Sequence, residues 1–151
     1  MKIFCDTNIL LEYIQQRREV QRVEQVLEYA EQNGYSLYIS YGSFYTLTYL
    51  VEKYLKHEGQ EKEVRVAKLR EILNGVLDLF QFAGQNGDTM KEGVNDALFS
   101  DLEDSYQAHA AEAEGCDVLL TIDINHFSAF EGASALSVLT PQQFVDTYIS
   151  K

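Results

Sequence analysis

The sequence is poor in residues that crosslink or interrupt a fold, with one proline, two cysteines and no tryptophan among its 151 residues. Cys5 and Cys116 each lie in or beside an apolar stretch. We therefore expect them in the core of a cytoplasmic protein kept under reducing conditions, and not in a disulfide framework. No apolar run reaches the about 18 residues of a membrane span, and the N-terminus lacks a signal-peptide pattern. A single folded domain over residues 1–151 is predicted.

Basic residues are also scarce and unevenly distributed. The formal net charge is −12, and no lysine or arginine occurs between Glu92 and Ser150. Affinity for nucleic acids usually depends on contacts between basic side chains and phosphates, so this half of the chain is a poor candidate for such a surface. An acidic segment without internal counterions indicates either a solvated acidic face or a site that recruits cations from solution.

The few histidines and cysteines offer no arrangement for catalysis. The three histidines have no metal-ligand spacing among themselves; they are His57, His109 and His126. No histidine lies near Cys5 in the sequence, which disfavours a cysteine nucleophile. The chemistry of this chain is therefore expected to depend on carboxylates.

Short apolar runs alternate with segments of helical periodicity. Strands are predicted at residues 3–5, 37–40, 79–82, 118–121 and 135–139. Helices are predicted from Asn8 or Ile9, at 20–32, 43–57 and 61–77, from Asp88 or Thr89, after Asp104, and from Thr140-Pro141 to the end. This alternation predicts an α/β protein in which helices cover both faces of a mainly parallel sheet, a three-layer α/β/α sandwich.

Two of the predicted strands end in an aspartate. Asp6 follows Ile3-Phe4-Cys5, and Asp123 ends the stretch Cys116–Asp123. Ligands of open parallel sheets bind beyond the carboxyl ends of the strands, which favours a functional role for both residues. Asp6 could equally cap the helix that follows it, as aspartate often does.

A second acidic feature, Asp101 and Asp104, lies at the predicted start of a helix. The two residues are three apart, so a helical turn would place them on one face. Carboxylates gathered in a cleft repel one another and raise one another's pKa, unless a cation compensates them. Hard oxygen ligands select Mg²⁺ or Mn²⁺. One or two such ions can generate hydroxide from water and orient a phosphodiester.

The order of these acidic residues and predicted strands along the chain resembles that of the PIN-domain family. The resemblance is carried by Asp6-Thr7-Asn8, by the pair Asp101 and Asp104, and by Leu120-Thr121-Ile122-Asp123 with Phe127 after it. It extends from Lys2 to the Thr140-Pro141 helix. Members of the family are metal-dependent nucleases of about this size, and many are VapC-type toxins of bacterial toxin–antitoxin pairs. The resemblance implies five strands with about seven helices, an endoribonuclease that uses Mg²⁺ or Mn²⁺, an RNA substrate, a cognate antitoxin and a homodimer.

The resemblance also assigns roles to single residues. It implies catalytic roles for Asp6, Asp104 and Asp123, with Asp101 as a further metal ligand. Asn8, Thr46 and Thr121 are candidates for orienting carboxylates or water, although each could be a simple cap or turn residue. Thr46 stands where PIN nucleases usually carry a glutamate. A threonine contributes no charge there, so we expect weaker affinity for a second ion, unless Asp101 substitutes.

Two surface patterns have alternative interpretations. Tyr41, Tyr45 and Tyr49 recur at four-residue spacing on one helix face. Such a row has three alternative explanations. The rings could pack in the core or in a dimer, they could stack on unpaired bases, or they could form a groove for a partner's helix. A stripe of basic residues, Lys62, Arg65 and Lys68, is either an RNA-binding surface or a solvated helix face.

Two other functions remain open at the level of the sequence. The missing glutamate favours a PIN-fold protein that has lost its activity and serves as a binding or scaffold module. A phosphatase or another small hydrolase could use Asp6 as a nucleophile. Such enzymes usually carry a second aspartate two residues later, and position 8 is Asn8.

Overall fold

Five short strands form one parallel sheet at the centre of the protein. The computed structural model describes residues 1–127 and 135–151; Glu131, an acidic residue of the segment that lacks lysine and arginine, lies outside them. The strands are β1 (Lys2–Cys5), β2 (Ser36–Ile39), β3 (Gln81–Phe82), β4 (Val118–Leu120) and β5 (Ser137–Leu139). Their order is β3-β2-β1-β4-β5, and all four pairings are parallel. The predicted parallel sheet is confirmed.

Helices account for most of the remaining described chain. They are α1 (Thr7–Ile14), α2 (Val20–Gln32), α3 (Tyr41–His57), α4 (Lys62–Leu79), α5 (Gly87–Asn95), α6 (Leu102–Ala113) and α7 (Pro141–Phe144). A 3-10 turn follows β4 (Ile124–Phe127), and a π-helical turn extends α7 (Val145–Ile149). Among the residues described, no helix is both long enough and apolar enough to cross a membrane.

The two faces of the sheet bury separate apolar cores. Ile3 and Cys5 of β1 pack on one face with side chains of α1 to α4 and α7. Phe4 points to the opposite face, where it packs with Ala108 of α6 and with Phe127. Because neighbouring residues of a strand point to opposite faces, one buried strand serves both cores. The three-layer α/β/α sandwich is confirmed.

Several predicted strand boundaries are wrong: β4 ends at Leu120 and not at residue 121, β5 begins at Ser137 and not at residue 135, and two further errors involve helices. Residues 79–80 do not belong to β3, because the Phe80 N–H still donates to Val76 O at 2.9 Å and Leu79 ends α4. Ser40 does not end β2, because its Oγ accepts the Ser43 N–H at 2.9 Å and caps α3. At residues 79–80 and at Ser40, the chain ends or begins a helix, although the composition there also suits a strand.

The order of the strands places a crevice at the carboxyl end of β1. The chain leaves β1 for β2 on one side, whereas β4 lies on the other side. Cys5 pairs with Leu120 in the register of β1 and β4, so Asp6 and Thr121 continue the two strands side by side. Ligands of open parallel sheets bind at such a reversal of strand order.

Close packing between α5 and α6 gives a test of the fold. A Cβ added at Gly93 would lie 2.7 Å from Tyr106 Cδ1, whereas a Cβ at Gly75 in α4 would meet nothing within 4 Å. We expect Gly93→Ala to lower the free energy of unfolding by about 1–2 kcal/mol through overpacking. The matched change Gly75→Ala should raise it by about 0.5–1 kcal/mol, because alanine favours helix more than glycine does. Urea unfolding of both variants tests this, and effects of the same sign would contradict it.

Candidate active site

Asp6 occupies the N-cap position of α1, yet its side chain makes no capping hydrogen bond. Its Oδ2 accepts a hydrogen bond from Thr121 Oγ1 at 3.0 Å instead, and the residue is only 3% exposed. The capping interpretation of Asp6 is therefore wrong. Burial raises the pKa of this carboxyl, whereas hydrogen bonds from Thr121 and Gln107 act in the opposite direction.

A buried polar network supports Asp6 from α3 and α6. Gln107 Oε1 accepts the Thr7 N–H at 3.3 Å and the Ser43 hydroxyl at 3.2 Å. The hydroxyls of Thr7 and Ser43 also form a short hydrogen bond with each other. Sequence reasoning missed Ser43 and Gln107. The available signal was that Gln107 follows Asp104 by three residues, which places the two polar side chains on one face of α6.

Thr121 connects Asp6 to Asp123. The predicted strand that ends in Asp123 is wrong, because β4 ends at Leu120, three residues earlier. Thr121 is fully buried, and its Oγ1, which donates to Asp6, also accepts the Asp123 N–H at 3.3 Å. The Asp123 side chain is half exposed, and its Oδ1 accepts the Asn125 N–H at 3.0 Å. Thr121 therefore orients the Asp6 carboxylate and positions the backbone of Asp123.

Asp104 is buried at the start of α6, and His126 joins it to Asp123. Burial and the negative charges of Asp101 and Asp6 raise the pKa of Asp104 from 3.8 to about 6. His126 Nδ1 lies 3.3 Å from Asp104 Oδ2, and its Nε2 lies 3.2 Å from Asp123 Oδ2. Sequence reasoning gave His126 no role, because only its spacing to other histidines was considered.

Asp101 does not share a helical face with Asp104. It is the N-cap of α6, and its Oδ1 accepts the Asp104 N–H at 3.2 Å. The predicted helical turn that contains both residues is therefore wrong. Asp101 is exposed, and its charge still reaches Asp104. Its role as a metal ligand stays a prediction.

Thr46 contacts an acidic residue that the sequence analysis did not single out. The Thr46 hydroxyl hydrogen-bonds to the Glu103 carboxylate. Burial and the charges of Asp101 and Asp6 raise the pKa of Glu103. This carboxylate therefore lies in the electrostatic field of an acidic cluster formed by Asp6, Asp101 and Asp104. A glutamate from α6 thus lies beside the α3 position where the family usually carries one. Asn8 is exposed in the first turn of α1, and its predicted role is untested.

The donor set suits a hard cation, although the described side chains are not arranged around one. Across residues 1–127 and 135–151, no three His, Cys, Asp or Glu side chains converge closely enough to hold a metal ion. Asp104 and Asp123 are both paired with His126. Carboxylate oxygens oriented by hydrogen bonds are nevertheless the ligands that Mg²⁺ prefers. A cation would compete with the imidazole for these oxygens.

The predicted surface patterns separate in space. Arg65 lines a cleft between α3 and α4, whereas Lys68 lines a groove against α1 and α2 and lies 3.7 Å from the Glu71 carboxylate. Lys62 is exposed at the first residue of α4, so the predicted basic stripe is not one continuous surface, and RNA binding by it stays a prediction. The tyrosines are 52%, 73% and 64% exposed, which excludes packing in the core; they are Tyr41, Tyr45 and Tyr49.

Comparisons with known proteins agree with this architecture. The sequence model of the PIN domain family matches residues 2–125. Ribonuclease VapC1 of Aquifex aeolicus (strain VF5) is 25% identical over 149 residues, which cover 97% of this chain and 95% of that protein.

Two solved structures share the fold. A chain of VapBC2 from Rickettsia felis, bound to a DNA fragment from their promoter, gives a TM-score of 0.68 at 19% identity and covers 93% of this chain and 98% of that one. A chain of FitAB bound to an IR36 DNA fragment gives 0.67 at 18% identity, with coverages of 92% and 94%. At these identities the likeness concerns the fold.

The raised pKa of Asp104 predicts how stability depends on pH without metal. The unfolded chain loses this proton near pH 3.8 and the folded chain near pH 6, so the parent loses stability as pH rises between these values. Asp104→Asn removes the penalty. In EDTA we expect the variant to exceed the parent by about 2 kcal/mol at pH 8 and to match it near pH 4. Urea unfolding at both pH values measures this, and a less stable variant at pH 8 would contradict it.

Proposed function

Because this chain belongs to the PIN domain family, we propose that it is a Mg²⁺-dependent endoribonuclease and the toxin of a toxin–antitoxin pair. The observation that carries the proposal is a buried carboxylate, Asp6, at the reversal of strand order. Its side chain does not cap α1, and its negative charge contributes to the raised pKa of Asp104. The name of the relative Ribonuclease VapC1 supports the same activity.

The mechanism assigns a task to each group. Asp6, Asp104 and Asp123 would hold the metal, with Asp101 at the edge. A bound divalent ion supplies positive charge for the phosphodiester and acidifies a water nucleophile. Thr121 and Gln107 fix the Asp6 carboxylate through hydrogen bonds, so little reorganisation is needed when charge develops.

A catalytically silent binding module is the second candidate function. Thr46 in place of the usual glutamate favours it, as does the lack of a three-ligand arrangement in the described residues. Burial of the Asp6 and Asp104 carboxyls opposes it, since a protein without metal chemistry gains nothing from the cost of burying them. The enzyme is therefore the function we propose.

The proposed toxin needs an antitoxin, and one groove suits it. The structural neighbours VapBC2 and FitAB are complexes, which supports a protein partner for this chain. A groove of about 480 Å³ between α1, α2 and α4 is mostly apolar; its lining includes Leu10, Tyr13, Leu27, Ile72 and Leu79. An amphipathic helix of the antitoxin fits such a groove. A homodimer and a cytoplasmic location stay predictions.

The first test of the proposal is Asp6→Asn. We expect loss of Mg²⁺-dependent cleavage of a mixed RNA pool, because the amide cannot replace a charged ligand. The fold should be as stable as the parent or more stable in EDTA, because the substitution removes a buried charge. Asp88→Asn, at an exposed position of α5, is the matched control and should cleave normally. Cleavage by Asp6→Asn at the parental rate would exclude Asp6 as a ligand.

A second test concerns the carboxylate missing at Thr46. We propose that Glu103 supplies this charge from α6. Glu103→Gln should then weaken Mn²⁺ binding about tenfold by calorimetry. Adding Thr46→Glu to that variant should restore binding, because the charge returns to the neighbouring position on α3.

The control for this test is Glu112→Gln, an exposed change on the same helix, which should bind Mn²⁺ like the parent. Normal binding by Glu103→Gln would exclude its role. Absence of both Mn²⁺ binding and cleavage in every protein would favour the silent module.

A further inference from the structure

A second polar site lies away from the acidic cluster. It is an open cleft of about 1000 Å³ between the end of α1, the C-terminal half of α3 and α4. Four of the twelve lysines and arginines of the chain line it; they are Arg17, Lys53, Lys56 and Arg65. His57 and two tyrosine rings, Tyr49 and Tyr54, also line it, against one acidic side chain, Glu52. In a chain of net charge −12, this concentration of cations favours an anionic ligand.

Arg65, which lines this cleft, uses few of its guanidinium N–H donors in hydrogen bonds within the described part of the chain. Its Nη1 donates to Gln60 O at 3.2 Å. Its Nε is buried, and in the part of the chain that the structure describes it has no hydrogen-bond partner. The Glu52 carboxylate lies 3.8 Å away, too far for a hydrogen bond. Arginine carries five N–H donors, and those of Arg65 that reach the cleft can bind a phosphate oxygen.

The row of exposed tyrosines runs along α3 towards this cleft, which Tyr49 lines. Tyr45 and Tyr49 are among the most exposed large side chains of the protein, at 73% and 64%. Lys53 follows Tyr49 by four residues, so it continues the same face of α3. Thr46 and Lys53 are two turns apart, about 10 Å along the helix axis. One face of α3 thus connects the residue beside Glu103 to the basic cleft.

The N-terminal end of the row is held against β3. The ring of Tyr41 stacks on Phe82 with a centroid distance of 4.3 Å and an interplanar angle of 3°. An exposed aromatic face held in this way loses little entropy when a second ring stacks on it. Nucleic-acid bases are planar ligands for such faces, and base stacking tolerates sequence variation.

We propose that single-stranded RNA lies along α3, with unpaired bases stacked on Tyr45 and Tyr49 and successive backbone phosphates bound by Lys53, Lys56 and Arg65. The proposal rests on the nuclease function proposed above, because the same strand would continue into the acidic cluster. Stacking requires unpaired bases, which a duplex does not offer. An acidic peptide would use the cations but not the tyrosine row.

The cations are tested by fluorescence anisotropy of a labelled single-stranded RNA in EDTA, where metal-dependent cleavage is blocked. Lys53→Gln/Lys56→Gln should bind about tenfold more weakly at low salt. The slope of log affinity against log salt should fall by about 1.4, since each phosphate contact on a single strand contributes about 0.7. Arg70→Gln/Lys91→Gln removes the same charge from exposed positions outside the cleft and should bind like the parent.

The tyrosine row is tested by a matched pair of double variants. Tyr45→Ala/Tyr49→Ala should weaken RNA binding about tenfold, whereas Tyr45→Phe/Tyr49→Phe keeps both rings and should bind like the parent. The salt slope should be unchanged in both, because no charge is removed. Size-exclusion chromatography of the alanine variant accompanies the measurement. Conversion of a dimer to a monomer with unchanged RNA binding would assign the row to self-association and overturn the proposal.

Other outcomes separate this proposal from the nuclease function. Equal effects of the Lys53/Lys56 and Arg70/Lys91 changes would overturn it, and so would binding of polyglutamate or duplex RNA as tight as that of the single strand. Because binding is measured in EDTA, RNA binding that depends on the cleft would survive a failure to find cleavage. Cleavage by the parent, combined with normal RNA binding by every variant, would retain the nuclease and exclude the cleft.

Discussion

The structure of the candidate site depends on keeping one carboxylate, Asp6, buried at the end of the central strand. A buried charge is tolerated only with hydrogen-bond partners, and each partner comes from a different element. Thr121 comes from the end of β4 and Gln107 from α6. Gln107 is in turn held by Ser43 of α3. The position of one oxygen atom therefore constrains how β4, α3 and α6 assemble around β1.

The fold was largely predictable from the sequence because its signals are local. The periodicity of α2 gave its observed limits, Val20–Gln32, and apolar runs located all five strands. Errors arose where a side chain redirects the backbone: Ser40 and Asp101 are helix caps, which composition does not distinguish from strand or helix residues. The partners of Asp6 were harder to predict. Gln107 meets it across 101 positions of sequence, through a strand register that only the folded chain defines.

Charge separation along the chain becomes spatial separation in the fold. The acidic segment supplies Asp104 and Asp123 at the carboxyl edge of the sheet, whereas Lys53, Lys56 and Arg65 of α3 and α4 line a cleft. The proposed RNA binding would therefore not need an overall positive field, because the cations are concentrated where the proposed strand would pass. Long-range attraction would be weak in such an acidic protein, so affinity would depend on stacking and close contacts.

The Thr46 position shows why counting residues against a family pattern can mislead. A metal site requires negative charge at a defined position in space, and any helix or strand close to that position can supply it. Glu103 reaches the vicinity of Thr46 from α6, and a hydrogen bond from the threonine hydroxyl acts to lower the pKa of its carboxyl. Burial and the charges of Asp101 and Asp6 raise this pKa, so the three carboxyl groups interact. A substitution that looks like the loss of a ligand in sequence is, in three dimensions, compatible with its relocation to the neighbouring helix.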